Sequence, residues 1–498
     1  MNFIDAIKNT INNETIRTEN GALGYRTTGT ALLDLNFAVA SLRAKSETEI
    51  ATLFTRAYFE NPTLAIKWMF FARDVRGGLG ERRLFRACMR ALAIINRDAM
   101  ARVLSLVPEY GRYDDLWSLI GTELEGEVIA LIKAQLERDM ACASSGESVS
   151  LIGKWLPSEN ASSAETKALA RKIRIALGMS ARSYRKTLSA LRASIDIVED
   201  MMSSGSWNQI KYDAVPSRAN LIYRKAFLRN DRKRRIDFLE RLAKGKTTIN
   251  ASVLFPHEIV ARYNIWDVLD ASLEALWGAL DDTVSGNDNT LVVADGSGSM
   301  HWYHDGNVRP IDVANALAIY FAERAGGNFK DKYITFSSHP QLVDLSGADS
   351  LREKLLVART HNEVANTNIK ATFDLILETA VNNSMKNEDM PKNILIISDM
   401  EFDRATTSGV NETLFATIQG EYKELGYDVP RLVFWNVASR SGAIPVKENA
   451  LGVALVSGFS VSIVNMVMSG ELDPYACLVS SLNTERYAPI EVALGSAS

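Results

Sequence analysis

The spacing of hydrophobic residues changes once along this chain, near Asp281–Asn289. This change restricts the folds that the chain can adopt. Before this point, apolar residues over residues 30–280 recur mostly at helical intervals of three and four. After it, short apolar runs such as Thr290–Ala294 alternate with helical segments. Near-continuous apolar strands separated by helices are typical of a parallel sheet covered on both faces. The sequence therefore predicts an α-helical domain over residues 1–286 and a doubly wound α/β domain over residues 287–498.

The first of these regions contains several long helical patterns. Thr63–Ala72 is apolar on nearly every side, which predicts a buried helix. Tyr184–Met202 places apolar residues three and four apart and predicts one long amphipathic helix, and the same holds for Ala219–Ala243 and Trp266–Leu280. Successive helices joined by short breaks are typical of a stacked α-solenoid, although no repeat period is evident.

Composition excludes several classes of protein. Hydrophobic residues make up 47% of the 498 residues and charged residues 23%, which is typical of globular chains and not of disordered ones. The three cysteines, Cys88, Cys142 and Cys477, are too few and too scattered for a disulfide framework or a zinc cage. The N-terminal segment has no signal-peptide pattern, and no apolar run approaches the roughly 20 residues of a membrane span. We therefore expect a cytoplasmic protein without a membrane partner.

Charge is unevenly distributed along the chain. Residues 1–286 hold 40 basic and 34 acidic side chains, whereas residues 287–498 hold 16 and 26. Within the first region, residues 154–246 hold 21 basic and 9 acidic side chains. Such an excess creates a positive field over part of a surface. Either these are solvated helix faces, or they form a site for a polyanion, which in the cytoplasm means nucleic acid.

The candidate RNA-contacting residues are the basic side chains that cluster within this stretch: Arg171, Lys172, Arg174, Arg182, Arg185, Lys186, Arg232, Lys233, Arg234 and Arg235. Neutralising phosphates needs several such charges on one surface. The DRKRRID segment is equally consistent with an exposed helix that carries ion pairs between residues four apart. Four aromatic residues lie among these charges, and each suits either stacking on unpaired bases or packing in the core: Tyr184, Trp207, Tyr212 and Tyr223.

A loop of small and oxygen-bearing residues follows the first apolar strand, in LVVADGSGSM. Here Asp295, Ser297 and Ser299 alternate with glycines, which allow a tight turn. Doubly wound sheets bind ligands beyond the carboxyl ends of their strands, where this loop lies. Thr367, at the start of a predicted helix, and Asp399, at the end of the strand NILIISD, are placed to add two further oxygen ligands. Hard oxygen ligands suit a hard divalent cation such as Mg²⁺ or Mn²⁺.

Three segments, ADGSGSM, NTNI and IISDMEFD, resemble the metal-ion-dependent adhesion site (MIDAS) of von Willebrand factor A domains, over roughly residues 288–498. The resemblance implies a Mg²⁺ site with five ligating residues: Asp295, Ser297, Ser299, Thr367 and Asp399. In that family the two serines bind the metal directly, and the aspartates often act through water. The alternative is a site that keeps the motif but no longer binds metal.

The helical region also resembles a known group of proteins. FARDVRGGLGERRLFR, GRYDDLW, KWLP, SYRKTLSALR and LFPHEIV resemble segments of uncharacterised proteins that join a helical region to an A domain. That order is similar to the Ro autoantigen (TROVE) family, whose members are HEAT-like rings closed by an A domain and bind small structured or misfolded RNAs. The resemblance implies a HEAT-like ring in which the A domain contacts the N-terminal region around Gly21–Phe37.

The leading hypothesis is a non-enzymatic, Ro-like RNA-binding protein that forms a ribonucleoprotein, with an A domain that closes the ring or recruits a partner through Mg²⁺. The alternative is a metal-dependent adaptor for proteins that binds no RNA. The third is a metal-dependent hydrolase, because Asp399, Glu401 and Asp403 form an acidic cluster of the kind that serves two metal ions. The chain contains neither a phosphate-binding G-x-x-x-x-G-K-[ST] loop nor an H-E-x-x-H motif.

Overall fold

The computed structural model describes most of the chain. The described residues are 15–17, 23–195, 197–264, 266, 268–284, 289–302, 308–336, 339–362, 368–401, 414–438, 444, 453–458, 460 and 473–495. The chain divides into two compact units, and each is described by itself. The sheet unit comprises residues 1–65, 76–79 and 251–484, and the helical unit comprises residues 66–75, 80–250 and 485–498. These units do not follow a single boundary at 286/287.

Secondary structure is named in chain order. The strands are β1 (Thr15–Arg17), β2 (Leu23–Tyr25), β3 (Thr290–Asp295), β4 (Lys332–Phe336), β5 (Gln341–Asp344), β6 (Asn393–Ser398), β7 (Arg431–Asn436) and β8 (Val453–Ser457). The helices are α1 (Ala31–Phe37), α2 (Val39–Leu42), α3 (Glu47–Glu60), α4 (Pro62–Arg73), α5 (Arg82–Ile95), α6 (Arg97–Val103), α7 (Val107–Tyr110), α8 (Glu125–Ser145), α9 (Ile152–Trp155), α10 (Ala164–Ala176), α11 (Ala181–Ser194), α12 (Val198–Ser203), α13 (Ser217–Asn230), α14 (Arg232–Ala243), α15 (Pro256–Val260), α16 (Ala271–Gly278), α17 (Gly298–Trp302), α18 (Pro310–Arg324), α19 (Leu351–Thr360), α20 (Ile369–Asn382), α21 (Leu414–Glu424), α22 (Pro474–Leu482) and α23 (Ala488–Leu494).

Six strands of the sheet unit form one sheet in the order β5-β4-β3-β6-β7-β8. β3 pairs in parallel with β4 and β6, and β7 and β8 continue in parallel beyond β6. β5 runs antiparallel to β4, so the sheet is mixed and not wholly parallel as predicted. The pattern did not reveal β5 because this edge strand is short and alternates between buried and exposed residues. The strands β3 and β7 are buried throughout, which matches their continuous apolar runs.

The N-terminal region packs against the sheet, as the Ro resemblance predicted. The Asn436 side-chain amide, at the end of β7, donates to the carbonyl of Phe37 at 3.1 Å. The Ala40 backbone N–H donates to the Ser457 hydroxyl at 3.0 Å. This contact with the predicted region is confirmed, whereas closure of the helices into a ring stays a prediction.

Residues 251–284 belong to the sheet unit because α16 and the segment after it contact the long buried helix α18. The Trp277 indole N–H donates to Glu323 at 2.9 Å. The Tyr320 hydroxyl donates to the Asp281 carbonyl at 2.5 Å. A boundary placed where the hydrophobic period changes therefore separates segments that pack together.

In the helical unit, two of the predicted long helices are each broken in two. α11 ends at Ser194 and α12 begins at Val198, because Ile197 has an extended backbone. Asp231, with φ of −140°, likewise separates α13 from α14. The prediction of one helix over each of these segments was wrong, although the apolar faces are buried as expected. Within the described residues, no helix is long and apolar enough to cross a membrane.

The helical unit is completed by the C-terminal residues of the chain. Tyr487 is buried and stacks on Tyr110 with ring centres 5.8 Å apart. Arg486 pairs with the buried carboxylate of Asp74. Lys67 is also buried, and its ammonium lies 2.9 Å from Glu491 on α23. The predicted α/β domain over 287–498 therefore includes a final segment that folds with the helices.

Candidate metal centre and basic helices

The loop after β3 brings together three oxygen-bearing side chains. Asp295 ends β3 and is buried, and α17 begins three residues later at Gly298. The Ser297 backbone N–H donates to Asp295 Oδ1 at 2.8 Å, which holds the turn against the strand. The Ser297 and Ser299 hydroxyls lie 2.9 Å apart and share a hydrogen bond. One carboxylate and two hydroxyls therefore meet at the carboxyl end of β3.

A second loop, after β6, reaches the same place because β6 is the neighbour of β3. The strand order reverses around β3, between β4 on one side and β6 on the other, and such a switch point is where sheets of this class bind ligands. The Ser398 hydroxyl donates to Asp295 Oδ2 at 2.7 Å and accepts from the Met400 N–H at 3.0 Å. Ser398 thus ties the two loops together. Ser398 was not among the predicted site residues, although a polar side chain at the end of an apolar strand is a signal visible in the sequence.

Asp399 is the other carboxylate of the centre, and it is almost fully buried. Its Oδ1 atom accepts from the Glu401 N–H at 3.2 Å, and the Ser299 side chain hydrogen-bonds to it. Burial, and then the nearby charge of Asp295, raise the pKa of Asp399 to about 7. Met400, between Asp399 and Glu401, has φ of +62°, which is uncommon for a residue other than glycine. Strained backbone of this kind clusters at functional sites.

The structure brings together four of the five predicted metal ligands: Asp295, Ser297, Ser299 and Asp399. The fifth, Thr367, lies outside the described residues. In the part of the chain that is described, no three His, Cys, Asp or Glu side chains are arranged to hold a metal ion, so a site here must use the serine hydroxyls. Two carboxylates and two hydroxyls are ligands of the type that Mg²⁺ and Mn²⁺ prefer, and the donor set therefore fits the ion.

Two further polar residues border this centre. His301, on α17, hydrogen-bonds to the Gly296 backbone, and burial lowers the pKa of its imidazole. Glu401 is fully buried. The third member of the acidic cluster considered for a hydrolase, Asp403, lies outside the described residues.

The predicted RNA-contacting residues divide into exposed and structural groups. Seven of them are exposed on α10, α11 and α14: Arg171, Lys172, Arg182, Arg185, Lys186, Arg232 and Lys233. Lys172 pairs with Glu125 at 2.8 Å. On α11, three of these charges lie on one face, and the opposite face buries Tyr184 and Leu188. The α11 charges therefore face solvent, as an interaction with a polyanion requires.

The other three basic residues have structural roles instead. Arg174 pairs with Glu159 at 2.8 Å. Arg234 donates to the backbone carbonyls of two residues and to Asp231. Arg235 is fully buried, where it donates to Asn220 at 3.1 Å and lies over three aromatic rings. Arg235 has no exposed surface to offer an RNA, whereas for Arg174 and Arg234, whose donors are used inside the unit, an RNA contact stays a prediction.

Two of the four aromatic residues considered for base stacking are part of the core. Tyr184 and Tyr212 are buried, and the Tyr184 hydroxyl donates to the Pro157 carbonyl at 2.9 Å. The Tyr212 hydroxyl donates to Asp231 at 2.9 Å. These two rings are not available to a base. Trp207 and Tyr223 are half-buried.

Two family models match different regions of the chain. The family model described as domain of unknown function DUF7788 matches residues 289–483. The model described as domain of unknown function DUF2828 matches residues 18–95 and 176–283. Neither description is that of a von Willebrand factor A domain, so that resemblance rests on the motif residues and the sheet.

Whole-chain comparison identifies similar proteins among solved structures and among known sequences. The crystal structure of the Deinococcus radiodurans Ro (RSR) protein aligns over 93% of each chain, with 11% identity and a TM-score of 0.33. An alignment this loose does not transfer a function. The uncharacterised protein L728 of Acanthamoeba polyphaga mimivirus is 31% identical over 513 residues, covering 95% of this chain and 88% of L728. With such identity over nearly its whole length, the chain belongs to the same family as the mimivirus protein L728.

Proposed function

We propose that this is a binding protein, without a catalytic step of its own, whose sheet unit holds Mg²⁺ or Mn²⁺ between the loops that follow β3 and β6. One observation carries this proposal: oxygen-bearing side chains from two neighbouring strand ends meet at the switch point of the sheet and are linked by hydrogen bonds. Buried carboxylates next to one another are costly unless a cation or protons compensate them.

Within this centre each residue has a separate task. The Ser297 and Ser299 hydroxyls, 2.9 Å apart, are direct ligands, and Asp295 and Asp399 supply the negative charge. Ser398 fixes the orientation of Asp295 through its hydroxyl. When bound, the cation supplies an electrophilic position that accepts an oxygen ligand from a partner molecule.

Thermal unfolding with and without divalent cations tests the metal proposal. Millimolar Mg²⁺ or Mn²⁺ should raise the Tm of the wild-type protein, because a ligand that binds only the folded state stabilises it. Asp295→Ala combined with Ser297→Ala should abolish the increase. The control is Asp389→Ala, which removes an exposed carboxylate outside the centre and should leave the increase intact. A wild-type Tm that does not respond to either cation contradicts the proposal.

A second function, RNA binding, is favoured by the exposed charges of α10 and α11. In the described part of the chain, no ion pair joins a carboxylate to Arg171, Arg182, Arg185 or Lys186. Basic side chains that project from one helix face without a counterion attract phosphates. We propose that this face, with RNA as its partner, is the nucleic-acid surface of the protein.

A mobility-shift titration with single-stranded RNA at two salt concentrations tests this second function. Replacing Arg182, Arg185 and Lys186 with glutamine should weaken binding of every RNA sequence. It should also flatten the dependence of log affinity on log salt by about 2, at roughly 0.7 for each lost phosphate contact. The matched control neutralises three exposed lysines of the acidic sheet unit: Lys330, Lys386 and Lys423. Equal affinity of wild type and the α11 variant contradicts RNA binding here and favours the protein-adaptor alternative.

A further inference from the structure

A cavity of about 430 Å³ opens in the helical unit where the GRYDDLW and KWLP segments meet. Arg112 and Tyr113 come from the first segment and Trp155 from the second, and Glu109 and Gln135 complete much of the wall. Small-molecule sites have volumes of roughly 300–1,000 Å³ and combine apolar and aromatic walls with a few polar groups. The cavity has both properties, and neither proposed function uses it.

The planar part of the wall is held in place before any ligand arrives. The Arg112 guanidinium carbon lies 3.9 Å from the centre of the Trp155 ring. Its Nε and Nη2 atoms donate to the two oxygens of Asp114, each at 2.9 Å. The carboxylate fixes the guanidinium plane, but Asp114 also pairs with Arg82 and Arg86, so it compensates the charge of Arg112 only in part. The cavity is therefore lined by flat groups in fixed orientations and keeps a positive charge on its wall.

Polar groups lie beside these flat surfaces. Gln135 donates through Nε2 to Asp139 at 2.7 Å, which fixes the side-chain amide. The carbonyl oxygen of the same amide can accept from another donor. Glu109 and Ser105 are exposed members of the same wall and offer an acceptor and a hydroxyl. Planar stacking surfaces beside hydrogen-bonding groups are the means by which proteins recognise unpaired bases.

The helix that carries Trp155 packs against the buried face of α11, opposite the exposed charges of that helix. A Cβ atom placed on Gly153, in α9, would lie 2.6 Å from the Cβ of Leu191, so α9 and α11 are in close contact. Arg192, on α11, donates to the Gly153 carbonyl at 2.9 Å. Trp155 therefore lies on a helix that contacts α11 on the side away from its exposed charges.

We propose that this cavity takes one unpaired nucleobase of an RNA that the helical unit binds. The proposal rests on the RNA-binding function and names the group that the helical unit would hold. Aromatic and guanidinium planes supply the stacking surface, and the polar groups contact the base edge. Stacking of a base on an aromatic side chain contributes roughly 1–3 kcal/mol, so the site would add to an affinity set mainly by phosphate contacts.

Adenosine 5′-monophosphate and uridine 5′-monophosphate, titrated calorimetrically into the full chain, test the cavity without RNA. Trp155→Leu, which removes the ring, and Ser105→Trp, which fills the cavity from its exposed edge, should each weaken binding at least 10-fold. Trp155→Phe should keep most of the affinity because it retains an aromatic plane. Ile175→Ala, at a side chain 59% exposed on α10, is the control for loss of surface apolar area. Melting curves show whether each variant is folded.

Single-stranded RNA distinguishes failure of the cavity from failure of the RNA surface. Trp155→Leu should lower RNA affinity while leaving the salt dependence unchanged, whereas the α11 glutamine variant should change that dependence. Trp155-dependent binding of mononucleotides without RNA binding would contradict the RNA function and keep the cavity as a nucleotide site. The proposal is overturned if neither mononucleotide binds and if wild type and Trp155→Leu bind RNA equally well or both fail to bind it. Tighter binding of N-acetyltryptophanamide than of either nucleotide also overturns it, because the cavity would then hold a protein side chain.

Discussion

Replacing Asp115 with alanine should destabilise the helical unit by about 3–5 kcal/mol, the range measured when one partner of a buried ion pair is removed. Asp115 is fully buried and accepts from Arg73 Nε at 2.8 Å and Arg86 Nε at 2.7 Å. It also accepts from the Arg112 backbone N–H at 3.0 Å. Hydrogen bonds to charged groups contribute roughly 1.5–3 kcal/mol each, so the two arginine contacts account for the expected loss. Arg73, whose side chain is only 6% exposed, would remain buried without this partner.

Urea unfolding, with hydrogen exchange of α5 as the local probe, measures this effect. The expected decrease corresponds to a midpoint about 2 M lower, at a slope near 2 kcal/mol per molar urea. Glu127→Ala is the matched control, because Glu127 pairs with Arg97 at the surface and exposed ion pairs contribute at most about 1 kcal/mol. A loss for Asp115→Ala no greater than that for Glu127→Ala would refute the reasoning.

The stability of the same cluster should also depend on pH. Burial raises the pKa of Asp115, but the charges of Arg73 and Arg86 outweigh burial and hold the pKa below its ordinary range. A carboxyl with a lowered folded-state pKa stabilises the protein above its unfolded-state pKa, near 3.9, and this contribution is lost as the pH falls through the folded-state value. Wild type should therefore lose more stability than Asp115→Ala between about pH 5 and pH 2. Equal losses would contradict the assignment.

Three other changes have definite expected outcomes. Ser398→Ala should weaken Mg²⁺ or Mn²⁺ binding by roughly 10- to 100-fold, because Ser398 orients a metal-ligating carboxylate. The control Ser480→Ala removes an exposed hydroxyl and should not weaken binding. The cation-dependent increase in Tm measures both effects. Gly153→Ala should lower the stability of the helical unit by about 1–3 kcal/mol, because the added Cβ would collide with Leu191. Gly126→Ala is the control, because it has open space around it and should not lower the stability measured by thermal unfolding. A chain that ends at Thr484 should show a lower Tm and faster hydrogen exchange in α4, because it loses the partners of the buried Lys67 and Asp74; unchanged exchange there would contradict this packing.

Much of the sheet was predictable because its strands are buried on both faces and leave continuous apolar runs. The strand β3 begins at the predicted residue and ends one residue beyond the predicted bound, and β6 lies within the predicted strand NILIISD. The edge strand β5 was not predictable in this way, since one side of it contacts water and its pattern is weak. The breaks at Ile197 and Asp231 were also missed, because the apolar spacing continues across both while the backbone does not.

For the candidate metal centre, the sequence identified the oxygen-bearing residues but not their connections. Asp295, Ser297 and Ser299 follow one strand and Asp399 another, and a strand end is visible in a hydrophobic pattern. The role of Ser398 depends on a hydrogen bond between residues 103 positions apart, which exists only because β3 and β6 are neighbours. For the basic helices, spacing could not separate Arg235 from Lys233, since burial of the former depends on the rings packed around it.

The sequence by itself determined most of the local properties: most of the helices and the buried strands, the polar loops that follow apolar strands, and the stretch where positive charge accumulates. These depend on the order of neighbouring residues, which is all that periodicity measures. The tertiary structure alone decided which distant segments share a unit, as when the last helix joins the helical unit and residues 31–42 join the sheet. The tertiary structure also decided which charged side chains form ion pairs and where the GRYDDLW and KWLP segments enclose a cavity. Such contacts bury surfaces of residues that are far apart in the chain. The hydrophobic pattern of one segment does not predict which other segment packs against it.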